Sequence, residues 1–455
     1  MRSAETTRGN FGSKIGVILA TAGSAVGLGN VWRFPYVAGE NGGAAFILIY
    51  LGCIIVMGLP VMLCEFIIGR HAQANTARAY AMLSDGKPWK WIGFLGVLTG
   101  SMIIGYYSVV SGWTLQYVFE SIGGGLSGGK EYYEQYFTEF SSNPIKPVMW
   151  MAVFVLVTHF VIVHGVQDGI ERASKTMMPL LFILLIVLVC CSLSLPGARK
   201  GVEFLLYPDF SKVSDKTFLE ALGQAFYSLS IAMGCICTYA SYFARQTKLT
   251  SSAVKIAGID TMVAIMSGLL IFPAAMSVGV KPDSGPSLIF ITLPNVFEQA
   301  FAAVPIVGRI VSILFYVLLS IAALTSMISL HEVPTSFLSE ELHIGRRKAA
   351  TIVTVCCIIV GGLCSLSLGG TSWLQPLGMS LFDFFDKFTA NICLTVGGFF
   401  TCLFVGWYIP HKVVKDQMTN WGTLPSHGFH VFILLVKYIC PLCIVMIFLH
   451  QMGLM

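Results

Sequence analysis

Three glycines lie close together inside the first long apolar stretch of the chain, accompanied by two small polar residues. Gly23, Gly27 and Gly29 fall within seven residues, and Ser24 and Asn30 lie beside them. Because each glycine costs a helix interior about 1 kcal/mol relative to alanine, this pattern predicts a break in a helix. A broken helix presents free N–H groups to an anion and free C=O groups to a cation, so this segment could bind an ion or a zwitterion.

The sixth apolar stretch carries residues of the same kind at mid-depth, namely Ser228, Ser230 and Gly234. In hydrocarbon an unsatisfied backbone group is costly, so a break persists only where a cavity or a ligand satisfies those groups. Paired interrupted helices in corresponding halves of a chain are typical of a transporter's binding site. Helix packing through a Gly-xxx-Gly motif remains an alternative for Gly23 and Gly27 taken alone.

The elements that must position these residues are strongly apolar. Of the 455 residues, 55% are hydrophobic and 11% are charged, whereas soluble domains carry about 25% charged residues. The composition therefore predicts an all-α integral membrane protein whose surroundings are the lipid bilayer.

All thirteen cysteines lie in apolar stretches, which argues against a disulfide scaffold. The basic residues are scattered over short loops, so no nucleic-acid partner is expected. No nucleotide-binding loop, catalytic triad or haem motif is found, so neither an enzyme nor an organic cofactor is expected.

A transmembrane helix needs about 20 mainly apolar residues. Eleven stretches meet this requirement, and we number them spans 1 to 11: residues 12–38, 44–69, 91–122, 147–164, 174–195, 218–243, 253–280, 305–339, 347–368, 374–408 and 428–451. Residues 284–302 predict a folded loop or a re-entrant hairpin instead. If spans 1–5 and spans 6–10 are two repeats, the repeats cover residues 1–195 and 196–408, and residues 409–455 hold a loop and span 11.

The positions of lysine and arginine predict the orientation in the membrane. Placing the N-terminus in the cytoplasm puts most of the 28 basic residues in cytoplasmic loops, as the positive-inside rule requires. We therefore expect a multi-pass protein of the cell (inner) membrane with a cytoplasmic N-terminus. Eleven spans then leave the C-terminus on the extracellular or periplasmic side.

The motif Ala-Gly-Ser-Ala-Val-Gly-Leu-Gly-Asn-Val-Trp-Arg-Phe-Pro-Tyr at 22–36, followed by Glu-Asn-Gly-Gly-Ala-Ala-Phe at 40–46, resembles the neurotransmitter:sodium symporter family. The likeness is greatest to the bacterial amino-acid transporters of that family, and it covers about residues 8–410. It implies a leucine-transporter-type fold, in which five plus five helices form an inverted repeat with broken spans 1 and 6, followed here by an eleventh helix. It also implies a Na⁺-coupled symporter that works by alternating access.

The resemblance implies two Na⁺ sites made of oxygen ligands, as suits a hard cation. Site 1 would use the Ala25 carbonyl, Asn30, Ser228 and, where many relatives carry Asn, Asp260. Site 2 would use the carbonyls of Gly23, Val26 and Ala322 and the hydroxyls of Thr325 and Ser326. For Thr325 and Ser326 the alternative is hydrogen bonding within their own helix.

Asp260 is the residue in which this chain departs from many relatives. A carboxylate within a span costs about 2.5–3.5 kcal/mol even on a lenient scale, so it should be paired or functional. As a sodium ligand it would supply the negative charge that animal relatives obtain from chloride, which predicts chloride-independent transport. The alternative is that Asp260 lies at the membrane interface.

Gly27 occupies the position where amine transporters of the family carry an aspartate, so the resemblance implies an α-amino acid substrate. Its carboxylate would lie near the N–H groups of Leu28 and Gly29 and the Tyr107 hydroxyl. Its ammonium would meet the carbonyls of Ser24, Ala25, Tyr227 and Ser228 and the hydroxyl of Ser230. The side-chain pocket would be formed by uncharged residues, which favour a neutral hydrophobic or aromatic amino acid: Ile103, Tyr107, Phe226, Tyr227, Met233, Met327 and Leu330.

Charged residues on both sides of this pocket match the family's gates. Arg33 and Asp386 correspond to the outer pair, although an arginine near a helix end also commonly extends to the interface. Arg8, Phe11 and Lys14 before span 1, with Glu340 at the end of span 8, correspond to the inner latch. A simple excess of positive charge inside is the alternative there.

Two other functions remain open at this stage. A proton-coupled amino-acid permease could share the fold, with Asp260 carrying the proton. A membrane amino-acid sensor could bind the substrate without transporting it.

Overall fold

The computed structural model of the protein describes residues 9–280, 286–426 and 428–454, and every regular element in these ranges is a helix. Nine helices of the described residues are long and apolar enough to cross a membrane. They are Ala44–Ala72, Lys90–Gly123, Lys146–Val163, Val166–Leu193, Leu249–Val278, Pro305–Glu341, Arg346–Leu368, Leu381–Tyr408 and Phe429–Gln451, which correspond to spans 2–5 and 7–11. The predicted all-helical membrane fold is thus confirmed.

Span 1 is broken, as the glycines predict. It consists of helix Lys14–Ala25 and a second helical part, Leu28–Glu40, and the two are bent by 63°. Gly27 is extended at the start of the second part, with φ −149° and ψ −164°. The first part packs against spans 5, 7 and 8, so the break is surrounded by other helices.

Span 6 is interrupted over a longer stretch. Helix Asp215–Ser228 ends before residues 229–234, and helix Cys235–Ala240 follows. Ser230, Ala232 and Gly234 in the interruption have φ of 53°, 66° and 80°. Left-handed backbone at non-glycine residues costs about 1–3 kcal/mol each, so surrounding contacts must hold this conformation.

Two spans begin at least seven residues away from the predicted start, spans 5 and 10. Span 5 begins with a π-helical turn, Val166–Glu171, rather than at 174, because Gly165 has φ 91° and separates it from span 4. Span 10 begins at Leu381 rather than at 374. Two short 3₁₀ turns precede it, and the second ends at Gly378 with φ 76°. The span is therefore seven residues shorter than predicted at its start.

Shorter helices connect the spans. They are Thr76–Leu83, Gly129–Ser142, Ala198–Leu206, Leu293–Ala300 and His411–Met418. Leu293–Ala300 follows a π-helical turn, Leu288–Thr292, and the two together are too short to cross a bilayer. All thirteen cysteines are free thiols. The division into two repeats and a C-terminal part stays a prediction.

Candidate functional site

The two interrupted spans enclose a cavity of about 60 Å³. This volume holds on the order of five water molecules. Twelve of the fourteen predicted substrate residues line it: Ser24, Ala25, Gly27, Leu28, Gly29, Ile103, Tyr107, Tyr227, Ser228, Ser230, Met233 and Leu330. Asn30, Ser326 and Ser329 complete the lining.

Phe226 and Met327 were predicted for the pocket, but neither lines this cavity. Both side chains are buried elsewhere in the core. Phe226 precedes Tyr227 on a helix and therefore points about 100° away from it. Its ring lies against Gly398, where a Cβ atom would come within 2.6 Å of the Phe226 Cζ. Ser329 lines the cavity although it was not predicted. No feature of the sequence distinguished it from the other residues of span 8.

Three of the four residues predicted for site 1, namely Asn30, Ser228 and Asp260, form a hydrogen-bonded cluster between the two breaks. Asn30 Nδ2 donates to Asp260 Oδ1 at 2.8 Å and to the Asp260 carbonyl at 3.1 Å. Ser228 Oγ donates to Asp260 Oδ2 at 2.6 Å. Asn30 Oδ1 accepts from the Gly27 N–H at 3.0 Å. Asp260, which belongs to span 7, therefore links spans 1 and 6 through hydrogen bonds.

Asp260 is buried inside the helix bundle rather than exposed on its surface. Its side chain is 0% exposed, inside helix Leu249–Val278. A buried carboxylate is stable only when it is paired or hydrogen-bonded, and the amide of Asn30 and the hydroxyl of Ser228 supply those bonds. The cluster is rich in oxygen atoms, the ligand type that Na⁺ requires.

The predicted residues of site 2 also lie together, on the other side of the span 1 break. Ser326 Oγ donates to the Val26 carbonyl at 3.1 Å. Thr325 Oγ1 lies 3.5 Å from the same carbonyl and 2.9 Å from the carbonyl of Ala322, one turn back in its own helix. A Cβ atom on Gly23 would lie 3.2 Å from Thr325 Cβ, so spans 1 and 8 are in close contact here. Both the predicted contact and the hydrogen bond within the helix are present.

Gly27 is confined by two side chains. A Cβ atom there would lie 2.7 Å from Ser326 Oγ and 3.2 Å from Tyr107 Oη. The site therefore has no room for the aspartate that amine transporters carry at this position. The Leu28 N–H points to Tyr107 Oη at 3.4 Å, and Ser230 Oγ donates to the Ser24 carbonyl at 2.9 Å. The N–H groups and carbonyls of the broken helices thus lie at the cavity wall.

Glu65 of span 2 supports the break in span 6, a role that the sequence did not reveal. Its carboxylate is buried and accepts hydrogen bonds from the N–H groups of Ala232 at 2.5 Å and Cys237 at 3.2 Å. These donors have no helical partner because the helix is interrupted there. An acidic residue inside an apolar span was the available signal, since such residues are rare unless paired or functional.

The two residues predicted for the outer gate, Arg33 and Asp386, line one cavity of about 570 Å³. The Arg33 guanidinium lies over the Tyr227 ring, 4.7 Å from its centroid. Tyr227 and Tyr107 line both this cavity and the central one. The two aromatic side chains therefore separate the central cavity from the outer one.

Of the residues predicted for the inner latch, Arg8 lies outside the described residues. Phe11 packs edge-on against Tyr239 and Tyr242, with ring centroids 5.9 and 6.1 Å apart, and its N–H donates to the Tyr242 carbonyl. Glu340 accepts from the N–H and the Nδ2 of Asn75 at 2.8 and 3.0 Å. Lys14 is exposed.

Two further carboxylates link segments near the predicted inner latch and were missed from the sequence. Glu171 of span 5 accepts from the Gly12 N–H at 2.6 Å and from Ser13 Oγ at 2.7 Å, which fixes the segment before span 1. Glu332 is fully buried and pairs with Arg346 at 2.5 Å. The sequence assigned Arg346 only to the positive charge of the cytoplasmic loops.

The chain is similar to known transporters along its whole length. It matches the sequence profile of the sodium:neurotransmitter symporter family over residues 8–130 and 125–455. It is 37% identical to the uncharacterized sodium-dependent transporter YhdH of Bacillus subtilis, over 98% of each chain. It is 27% identical to the sodium- and chloride-dependent taurine transporter of Bos taurus, over 88% of this chain and 71% of that one.

A solved structure shows the same architecture. The crystal structure of MhsT in complex with L-phenylalanine superposes with a TM-score of 0.87 at 41% sequence identity, and the match covers 98% of this chain and 100% of that one. The chain belongs to the sodium:neurotransmitter symporter family and is a multi-pass, sodium-dependent membrane transporter of the leucine-transporter-type fold.

Proposed function

We propose that this protein is a Na⁺-coupled symporter that imports a neutral hydrophobic or aromatic L-amino acid by alternating access and does not require chloride. The observation that carries the proposal is the Asp260 carboxylate, which is hydrogen-bonded to Asn30 of one broken span and to Ser228 of the other. A carboxylate that accepts hydrogen bonds from both broken spans supports a cation site where their free backbone groups converge.

The chemistry of the cavity supports the substrate class. Its lining contains hydroxyls, backbone groups and the apolar side chains of Ile103, Met233 and Leu330, but no charged side chain among the described residues. Burying an unpaired charge there would be costly, so acidic and basic amino acids are disfavoured. The N–H groups of Leu28 and Gly29 begin a half-helix, which suits the substrate carboxylate. The related MhsT was crystallised with L-phenylalanine.

Admission of such a substrate requires movement. A cavity of about 60 Å³ does not hold an aromatic amino acid. Met233 is unbranched and adapts its shape readily, so it is the residue that we expect to shift. Arg33 and Asp386 would close the outer side, and Arg8, Phe11 and Glu340 would close the inner side.

Two sodium ions would supply the energy. Site 1 would comprise the Ala25 carbonyl, Asn30, Ser228 and Asp260, and site 2 Gly23, Val26, Ala322, Thr325 and Ser326. Each charge that moves inward across 100 mV releases about 2.3 kcal/mol. Two ions therefore release about 4.6 kcal/mol before any concentration gradient is counted, and each 1.4 kcal/mol corresponds to about tenfold accumulation. Accumulation above a thousandfold is within reach.

The charge of Asp260 supports chloride independence. The bovine relative is named sodium- and chloride-dependent. In this chain the carboxylate would balance the charge of Na⁺ permanently, so a mobile anion adds nothing. We further propose a location in the cell (inner) membrane with the N-terminus in the cytoplasm, and repeats over residues 1–195 and 196–408 that move relative to each other.

Uptake by the purified protein in proteoliposomes tests this function. Labelled L-phenylalanine and L-leucine should accumulate with an inward Na⁺ gradient, and accumulation should stop when choline replaces Na⁺. Replacing chloride with gluconate should leave the rate unchanged. Labelled lysine and glutamate serve as controls and should not accumulate.

Each remaining outcome has a defined meaning. Uptake that ignores Na⁺ but follows a pH gradient would falsify the proposal in favour of a proton-coupled permease. Na⁺-dependent binding without any uptake would instead indicate a sensor. Loss of uptake in gluconate would overturn chloride independence alone.

A further inference from the structure

A groove runs along the lipid-facing side of the protein, away from the transport site. Two adjoining cavities form it, one of about 590 Å³ and one of about 400 Å³, and both are lined by Ile55 and Leu59 of span 2. The first lies between spans 2, 7 and 11 and the loop before span 11, and the second continues between spans 2 and 7.

The length of the groove can be measured along span 7. Thr250, Val254, Gly258, Met262 and Met266 line it at intervals of four residues, so they form one oblique row along the helix. At 1.5 Å per residue the row is about 24 Å long. One leaflet contributes about 15 Å of hydrocarbon, so the groove is long enough for an acyl chain and part of a headgroup.

The two ends of the groove differ chemically. The end between spans 2, 7 and 11 carries Lys248, Thr250, Ser251 and Ser426, and all four are exposed. Apart from Thr261, the other end is lined by apolar side chains and one glycine. No carboxylate lines either cavity among the described residues. This polarity matches an amphiphile with a negatively charged headgroup.

Gly258 makes room at the centre of the groove. It is exposed, and a Cβ atom added there meets no other atom within 4 Å. The space next to it is therefore open to a ligand rather than filled by a neighbouring helix. Thr261, which also lines the groove, follows Asp260 directly, so a chain lying here would pack on the helix that carries the proposed site 1.

We infer that this groove is a binding site for one anionic diacyl phospholipid, with its phosphate near Lys248 and one acyl chain along the Gly258 face of span 7. In the proposed orientation the headgroup lies on the cytoplasmic side, although the binding itself does not depend on that orientation. The length, the polar end and the positive charge together select such a lipid over a purely apolar one.

Native mass spectrometry of the detergent-purified full-length protein tests the inference, with palmitoyl-oleoyl phosphatidylglycerol and phosphatidylcholine as probes. We expect one phosphatidylglycerol to be retained about fivefold more tightly than phosphatidylcholine, the scale of one basic residue near an anionic lipid. Lys248→Gln should abolish this preference. Lys255→Gln is the matched control, because Lys255 is exposed on the same helix but does not line the groove.

A second pair of variants tests the acyl-chain path. Gly258→Leu fills the groove and should weaken retention of phosphatidylglycerol at least about tenfold, because a buried chain would lose its contacts. Gly52→Leu adds the same side chain at an exposed glycine of span 2 that lines neither cavity, and it should bind like the wild type. Equal retention by Gly258→Leu and Gly52→Leu would overturn the site. Equal binding of both lipids to the wild type would overturn the anionic assignment. Elution as a monodisperse peak shows that each variant is folded.

Discussion

The breaks in spans 1 and 6 face the same cavity but are built differently. The break in span 1 involves Val26 and Gly27, and no residue there has a positive φ. The break in span 6 covers residues 229–234 and has three residues with positive φ, two of which are not glycine. Local composition marks both breaks, but only the second one is also bonded to a carboxylate from another span.

The two breaks contribute different groups to the proposed sites. Span 1 supplies a backbone carbonyl to each proposed sodium site, Ala25 to site 1 and Val26 to site 2. Its close contacts with neighbouring side chains restrict its movement. Span 6 supplies Ser228 and Ser230 on a segment held by Glu65 at Ala232 and Cys237. The backbone conformation of the span 6 break should therefore change when the Glu65 side chain is altered.

Asp260 joins the two breaks, so its removal should have the largest effect. Asp260→Ala removes the acceptor of the Ser228 hydroxyl and one of the two Asp260 oxygens that accept from the Asn30 amide, at about 1–3 kcal/mol for each lost bond. We expect the Na⁺ concentration for half-maximal uptake to rise by roughly 100-fold. Asp260→Asn keeps an oxygen but loses the charge and should give about a tenfold rise.

Titration of uptake against Na⁺ in proteoliposomes measures this effect. Asp168→Asn, at an exposed carboxylate, is the control and should match the wild type. Unchanged Na⁺ dependence in Asp260→Ala would show that the carboxylate is structural only.

Gly27→Ala tests the tight packing at the break in span 1. The added Cβ atom would come within 2.7 Å of Ser326 Oγ, and overpacking costs about 1–3 kcal/mol. We expect L-phenylalanine binding to weaken by roughly 5- to 140-fold in a radioligand assay. Gly29→Ala, whose Cβ would lie 3.7 Å from Tyr227, should bind normally.

A double variant sharpens this test. Removing the hydroxyl in Ser326→Ala relieves the close contact, so Gly27→Ala with Ser326→Ala should bind no worse than Ser326→Ala alone. If the double variant is as weak as the product of both single effects, the contact does not explain the requirement for glycine.

Glu65→Gln tests whether the break in span 6 depends on a carboxylate. The glutamine amide would turn a donor toward the N–H groups of Ala232 or Cys237, which should cost about 1.5–3 kcal/mol. We expect a lower thermal midpoint in detergent and faster hydrogen exchange confined to residues 229–240. Glu139→Gln, at an exposed glutamate, should change neither. Normal exchange in span 6 would show that the break is intrinsic to its sequence.

The smallest effect concerns the shape of the pocket. Met233 lines the cavity and Met327 does not, although both were predicted to do so. Met233→Ala should therefore change the ratio of KM values for L-phenylalanine and L-leucine by about fivefold, since a methylene group in a pocket is worth at least about 1 kcal/mol. Met327→Ala should lower stability and leave that ratio unchanged. A change of the ratio in Met327→Ala alone would reverse the assignment.

Local composition was sufficient for the membrane class, for the spans and for the position of both breaks. An apolar run of about 20 residues forms a transmembrane helix, because in lipid the backbone groups must form their hydrogen bonds within the segment. The clusters of glycine and serine at 23–30 and 228–234 mark the breaks because they lower helix stability at those residues. The sequence also predicted a role for Asp260, since a charged residue within an apolar span is expected to be paired or functional.

Only the tertiary structure decided which side chains meet. Glu65 reaches Ala232 across 167 residues, and Phe226 points to Gly398 rather than into the cavity. Span 5 begins early because Gly165 adopts a positive φ, which its residue type permits but does not require. Buried spans are apolar on most sides, so their sequence does not tell which face meets which neighbour. The sequence by itself determined a broken-helix membrane protein with a carboxylate in span 7, and the packing of the spans decided which oxygens, rings and apolar side chains surround the cavity.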